Sequence, residues 1–143
     1  MKVIIGNDHT GVEMKNAIVK YLTDQKHQVI NLGTNSDAAV DYPDLGQEVG
    51  EKVMQEKDSL GIVICGTGIG ISIAANKVKG VRAALCNETN LAKLAREHNN
   101  ANVLALGARV IAIQNAIWIV ETFLNTSFDA GRHALRIDKL NKL

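Results

Sequence analysis

A thiol followed by alternating glycines is the chemically richest stretch of this chain. It reads Ile62-Val63-Ile64-Cys65-Gly66-Thr67-Gly68-Ile69-Gly70-Ile71-Ser72. An apolar run ends in a cysteine, glycines follow, and apolar residues then return at wider spacing. That pattern predicts a buried strand, a tight turn and the start of a helix. Glycines at such a turn let backbone approach a ligand and leave N–H groups free to meet an anion. A helix N-terminus also favours the thiolate form of a nearby cysteine. Cys65 is therefore a candidate base or nucleophile beside an oxyanion-binding loop. The alternative is a plain turn packed on a neighbouring strand, but Cys65 and Thr67 add two polar groups to it. The loop is not a dinucleotide fingerprint, because only Ile69 separates Gly68 from Gly70. It is not a P-loop either, since no Gly-Lys-Ser/Thr follows.

Other candidates are scattered. Gly6-Asn7-Asp8-His9-Thr10-Gly11 follows the first apolar run, so Asp8 and His9 can face a ligand at a strand tip, or Asp8 or Thr10 can simply cap a helix. His98, in Glu97-His98-Asn99-Asn100-Ala101-Asn102, can move a proton near neutral pH, or can sit as a favourable cation at a helix end. Arg132 and Arg136 are four apart and share a helix face, where two guanidinium groups match a phosphate or merely face solvent. Arg109 is a third candidate anion ligand. Cys86 lacks a glycine loop and reads as a small buried apolar residue.

The elements that must position these groups are short. Apolar runs at Val3–Ile5, Val29–Ile30 with Leu32, Ile62–Ile64, Val81–Leu85 and Val103–Leu106 have the unbroken character of strands buried on both faces. Between them lie amphipathic stretches. Val12, Ala17, Ile18 and Leu22 mark a helix over Gly11–Gln25, and Leu45, Val49 and Val53 mark another beginning near Pro43. Asn87 can cap a helix through Leu91, Leu94 and Ala95. Ile111–Phe123 and Gly131–Leu143 complete the set. Strands alternating with helices predict an α/β, three-layer, doubly wound (Rossmann-like) domain around a five-stranded parallel sheet. In such a sheet, functional groups gather at the carboxyl ends of the strands.

Composition narrows the classes. With 143 residues, 46% hydrophobic and 22% charged, the chain suits one soluble domain. A net charge of +1 gives no field that would draw nucleic acid or an acidic membrane. One Trp, two Tyr and two Phe make no base-stacking platform. No apolar run is long enough to span a bilayer. Two cysteines without CxxC or HExxH spacing predict reduced thiols in a cytoplasmic protein and no metal site.

The whole constellation has a counterpart. In order stand Gly6-x-Asp8-His9, Asp41-Tyr42-Pro43, Cys65 to Ser72, Asn76-Lys77, His98-Asn99, Asn102-Val103-Leu104-Ala105 and Gly131-Arg132-His133-x-x-Arg136. Over nearly its full length the chain resembles the ribose-5-phosphate isomerase type B family, which includes the galactose-6-phosphate isomerase subunits. The resemblance implies a metal-independent, cofactor-free aldose–ketose isomerase of the pentose phosphate pathway. It would interconvert D-ribose 5-phosphate and D-ribulose 5-phosphate through an enediolate. By that likeness Cys65 is the base, and Thr67 with the N–H groups of Gly66, Gly68, Ile69 and Gly70 holds the developing oxyanion. His98 assists ring opening, Asp8 and Asn99 hold sugar hydroxyls, and Tyr42 lies near the sugar. His9, Arg109, Arg132 and Arg136 bind phosphate. The likeness also implies a homodimer or tetramer, in which the helix over 130–142 packs on a neighbour and Arg132 and Arg136 enter that neighbour's site.

Two positions refine the resemblance. Position 7 is Asn7, where many relatives carry a cysteine that is not the base. The chain keeps Cys65, whereas another branch lacks it and uses a glutamate further along; here that region reads Ser72-Ile73-Ala74-Ala75. Allose 6-phosphate and galactose 6-phosphate are the alternative substrates, differing from a pentose phosphate by one hydroxymethyl group. A non-catalytic nucleotide-binding module is the competing class. It is disfavoured by the incomplete glycine fingerprint and by the lack of an acidic residue placed to read a ribose.

Overall fold

Short apolar runs separated by amphipathic ones fold here as strands separated by helices. The computed structural model describes residues 1–143. β1 (Lys2–Asn7) passes through a 3-10 turn at His9–Gly11 into α1 (Val12–Asp24). Then come β2 (Gln28–Asn31), α2 (Tyr42–Gln55), β3 (Ser59–Cys65), α3 (Ile69–Asn76), β4 (Ala83–Leu85), α4 (Thr89–Asn99), β5 (Val103–Gly107), α5 (Ile113–Asn125) and α6 (Arg132–Asn141). All strand pairings are parallel, in the order β2-β1-β3-β5-β4. The fold class expected from the sequence is the one observed.

Alternation along the strands divides the core into two layers. Val3, Ile5, Ile62, Ile64, Leu104 and Leu106 point to the face covered by α1, α4 and α5, where Ile18, Leu22, Ile119 and Phe123 are fully or almost fully buried. Ile4, Val63, Cys65, Val103 and Ala105 point to the opposite face, under Val49 and Val53 of α2 and Ile71 and Ala75 of α3. Each buried Val, Leu, Ile or Phe side chain among them contributes roughly 1.5–3 kcal/mol by leaving water. Cys65 thus belongs to the α2–α3 side, which decides the face on which its thiol can act.

The sequence expectations need three corrections. β3 and β5 are buried throughout and β1 from Val3 onward, but β2 and β4 are at most half-buried. They are the edge strands, each with one neighbour, so the flanking layers cover them less. Glu88, not Asn87, stands at the N-cap of α4, and its side chain makes no capping bond. The strand expected over Val81–Leu85 begins at Ala83, because the backbone of Arg82 is held by Asn102 before regular pairing starts.

Candidate active site

The sheet order creates the crevice. From β1 the chain moves outward to β2 and then crosses back to β3 on the other side of β1, so loops leaving β1 and β3 diverge. Asn7 pairs with Ile64, which sets Asp8 and Cys65 level with one another. The Asp8 N–H donates to the Ile64 carbonyl at 3.0 Å and ties the two loops together. A cleft of about 540 Å³ opens there, bounded by Asp8, His9, Tyr42, Cys65, Thr67 and Arg109, with Thr10, Ile69 and Ile73 completing its walls.

The glycine turn is arranged around the thiol. Gly68 caps α3 with φ 80°, a left-handed conformation that favours glycine. Its N–H donates to Cys65 Sγ at 3.2 Å, placing a donor dipole where negative charge on sulfur would develop. The Ile69 N–H is taken by Thr67 Oγ1 at 3.1 Å. The N–H groups of Gly66, Thr67 and Gly70 donate to no group of the chain. Not every N–H of the loop is therefore equally available to an oxyanion: two of the expected set serve Cys65 and Thr67 first. Gly70 is needed for another reason. A Cβ there would lie 2.4 Å from the Tyr42 ring, so the absence of a side chain lets Tyr42 close one wall.

The opposite wall is equally specified. Asp8 Oδ1 accepts from the Thr10 N–H at 2.9 Å and from Thr10 Oγ1 at 2.6 Å, which fixes the carboxylate. The Val40 N–H donates to His9 Nδ1 at 3.2 Å. His9 therefore carries its proton on Nε2 when neutral, leaving that nitrogen as a donor. The loop supplying Val40 is pinned further back by Lys15. Its fully buried ammonium bonds the Thr34 carbonyl at 2.9 Å and Asn35 Oδ1 at 2.6 Å, and burial lowers its pKa. Asn7 Nδ2 bonds the same carbonyl at 3.1 Å. Sequence reasoning passed over Lys15, although a signal existed: it stands three before Ile18 and seven before Leu22, on the apolar stripe of α1.

The remaining candidates lie elsewhere. His98 and Asn99 end α4, which runs back across the sheet and stops just before β5 begins. Cys65 pairs with Gly107 at the far end of β5. The two groups are thus separated along the sheet by a strand's length, about 13 Å at ~3.3 Å per residue. Arg132 and Arg136 belong to α6, beside α4: the His98 and His133 rings stack at 4.4 Å with 13° between planes. Burial, then the nearby His98, Arg132 and Arg136 charges, lower the pKa of His133, while Asp129 opposes them. Within one chain, then, the structure gathers Asp8, His9, Tyr42, Cys65, Gly66, Thr67, Gly68, Ile69, Gly70 and Arg109. It leaves His98, Asn99, Arg132 and Arg136 as a second cluster. Asp8 and Asn99, both expected near sugar hydroxyls, thus lie in different clusters of the single chain.

Cys86, by contrast, is inert. It is buried under α4 and α5, and desolvation pushes its thiol up to about 11.

The family described as Ribose/Galactose Isomerase matches residues 3–140. Ribose-5-phosphate isomerase B of Escherichia coli strain K12 is 42% identical over 142 residues, covering 99% of this chain and 95% of that protein. The solved ribose-5-phosphate isomerase B of Clostridium thermocellum superposes with a TM-score of 0.97 at 50% identity, covering 99% of this chain and 96% of the other. That of Mycoplasma genitalium, solved with bound ribulose-5-phosphate, gives a TM-score of 0.95 at 47% identity, covering 99% and 94%. With the Cys65 loop, the Asp8-His9 tip and the α6 arginines all in place, this chain belongs to the ribose/galactose isomerase family.

Proposed function

We propose that this protein interconverts D-ribose 5-phosphate and D-ribulose 5-phosphate. The observation that carries the reading is the Cys65 thiol at the end of β3, bonded by the Gly68 N–H and facing the cleft that also holds Asp8, His9, Thr67 and Arg109. Similarity to an enzyme solved with bound ribulose-5-phosphate supports it.

The chemistry follows from the groups present. The open-chain aldose binds with its carbonyl end at the glycine loop. The Cys65 thiolate takes the C2 proton, the C2–H electron pair becomes the C1–C2 double bond, and charge moves onto O1. The N–H groups of Gly66, Thr67 and Gly70 and the Thr67 hydroxyl hold the two enediolate oxygens. A strong donor of this kind is worth ~3–4 kcal/mol to a transition state. The thiol then returns its proton to C1 while the O2 proton moves to O1, leaving the ketose. No electron leaves the substrate, so no redox partner is consumed. Asp8 accepts from sugar hydroxyls, and its fixed carboxylate orients C2 toward sulfur.

The phosphate is the remote handle. His9 and Arg109 meet it in the cleft, and Arg132 and Arg136 complete its binding from a neighbouring subunit, which also brings His98 for ring opening and Asn99 for a hydroxyl. Two features support a shared site. The second cluster is too far from Cys65 to serve it within one chain, and α6 leaves Leu135 and Leu140 exposed with only Ile137 buried. A homodimer, or a tetramer built from it, would cover that apolar surface with a second copy. No helix is long and apolar enough to cross a membrane. A working thiol suits the reducing cytoplasm.

Assays of the pure chain on ribose 5-phosphate, allose 6-phosphate and galactose 6-phosphate test the reading. Turnover of ribose 5-phosphate by this chain alone is the expected result. Activity confined to a hexose phosphate, or dependence on a second kind of chain, would overturn it.

A further inference from the structure

Arg82 lies in the approach to β4, outside every motif that carries chemistry. Its guanidinium is about half-buried and belongs to none of the ion pairs of the chain. It bonds neutral oxygens instead. Nε donates to the carbonyls of Asn99 at 3.3 Å and Asn100 at 3.1 Å, and Nη2 donates to Asn100 again at 2.9 Å. Nη1 donates to the Gly80 carbonyl and to Asn141 Oδ1, each at 3.1 Å. One side chain therefore joins the loop before β4, the C-terminus of α4 and the last turn of α6. Its main chain is locked as well: the Arg82 N–H donates to Asn102 Oδ1 at 2.7 Å, and its carbonyl accepts from the Asn102 N–H at 3.0 Å.

The physical reason for a cation here is the helix end. The last carbonyls of α4 carry partial negative charge and lack helical donors, and Asn100 closes the helix in a left-handed conformation with φ 44°. A guanidinium satisfies several such oxygens at once, in one plane and at fixed angles. A lysine ammonium could replace the charge but not the three-way span.

We propose that Arg82 is a positioning residue for the second half of the site. It holds Asn99 by its own carbonyl, and His98 one residue before it. Through Asn141 it sets α6, with Arg132 and Arg136, against α4. The proposal rests on the reading that this cluster completes the cleft of a neighbouring subunit. Arg82 itself touches no substrate.

The test uses full-length Arg82→Met and Arg82→Lys. Arg82→Met should form an assembly of unchanged size and lower kcat/KM for ribose 5-phosphate about ten-fold or more, with Arg82→Lys recovering only a small part. The four histidines report the cause by proton NMR. Ring signals of His98 and His133 should move, while those of His9 and His27 stay. Unchanged kcat/KM, or equal movement of all four signals, would overturn the proposal. Mixed assemblies, purified through two different tags, separate it from the reading beneath it. Arg82→Met paired with Cys65→Ala should regain activity, because one cleft then meets one intact edge. Cys65→Ala paired with His98→Ala is the control. If the control regains activity and the Arg82→Met pair does not, the positioning role is wrong. If the control itself stays inactive, the shared site is wrong and the proposal falls with it.

Discussion

The cleft at the ends of β1 and β3 and the edge formed by α4 and α6 hold their candidate groups in different ways. In the cleft, backbone does most of the positioning. Cys65 is the last residue of a central strand paired on both sides, and its sulfur, the Asp8 carboxylate and the His9 ring each take a main-chain N–H. At the edge, side chains do it. Arg82 and Arg96 bond carbonyls around Asn99–Ala101, His98 stacks on His133, and α6 buries only Ile137. Sheet backbone resists the loss of any single contact, whereas a helix held by a stack and a cation clamp does not. The cleft is therefore formed by one chain unaided. The edge leaves Leu135 and Leu140 of α6 exposed, and it is this surface that the proposed second subunit would cover.

The largest expected effect comes from breaking the cleft chemically without disturbing its frame. Cys65→Ala should lower kcat/KM for ribose 5-phosphate by about 10³-fold or more, within the span that a general base supplies. Circular dichroism and assembly size should stay unchanged. Substantial residual turnover would remove Cys65 from the role of base. A steric break in the same cleft should be nearly as damaging. Gly70→Ala puts a methyl into the Tyr42 ring and should raise KM and lower kcat together, with thermal stability little affected because Tyr42 is partly exposed and can swing away. If the variant matches wild type in a full kinetic profile, Tyr42 has no part in closing the cleft.

Acid should sharpen the contrast between the two regions. The folded-state pKa of His133 is lowered, so the undocked form of α6 takes up a proton more readily. Docking of α6 is then fully stable above about pH 6.5 and weakens as pH falls below it. Groups facing His133 are His98 from α4, Arg132 and Arg136 from its own helix, and Asp129 from the preceding loop. Amide hydrogen exchange between pH 7.5 and 5 should show growing exposure in α6 and none in β3. His133→Phe keeps a stacked ring without its proton and should flatten that trend; an identical trend in the variant would assign it to another group.

The smallest effect should leave both regions alone. Glu56 bonds Lys2 at 2.6 Å and Lys52 at 2.8 Å, and those hydrogen bonds hold its pKa near 2 instead of 4.5. Its stabilising contribution is complete above pH 4.5 and disappears as pH falls toward 2. Glu56→Gln should lower Tm slightly at neutral pH and flatten the acid limb of Tm against pH, with kcat/KM unaltered. A change in turnover would mean that the far end of the sheet is coupled to the cleft.

Much of this was legible in the residues. The strands at Val3–Ile5, Ile62–Ile64 and Val103–Leu106 announce themselves as unbroken apolar runs, because a central parallel strand must be apolar on both faces. Cys65 with its glycines is legible for a similar local reason: close backbone approach and a left-handed turn demand glycine wherever the fold places them. Lys15 was readable only as an anomaly on an apolar stripe. Arg82 gave no sign at all, since a lone arginine beside a short strand looks like any surface cation until Asn99, Asn100 and Asn141 are brought around it.

The chain's own chemistry therefore determined the layer order, the thiol, the glycine turn and the two arginines on one helical face. All of these are properties of neighbours within a few positions, where spacing along the chain translates directly into geometry. Only the tertiary structure decided that these groups fall into two clusters a strand's length apart. Which end of the sheet a helix terminus reaches depends on where its strands insert, and strand order is set by long-range pairing that no local pattern records.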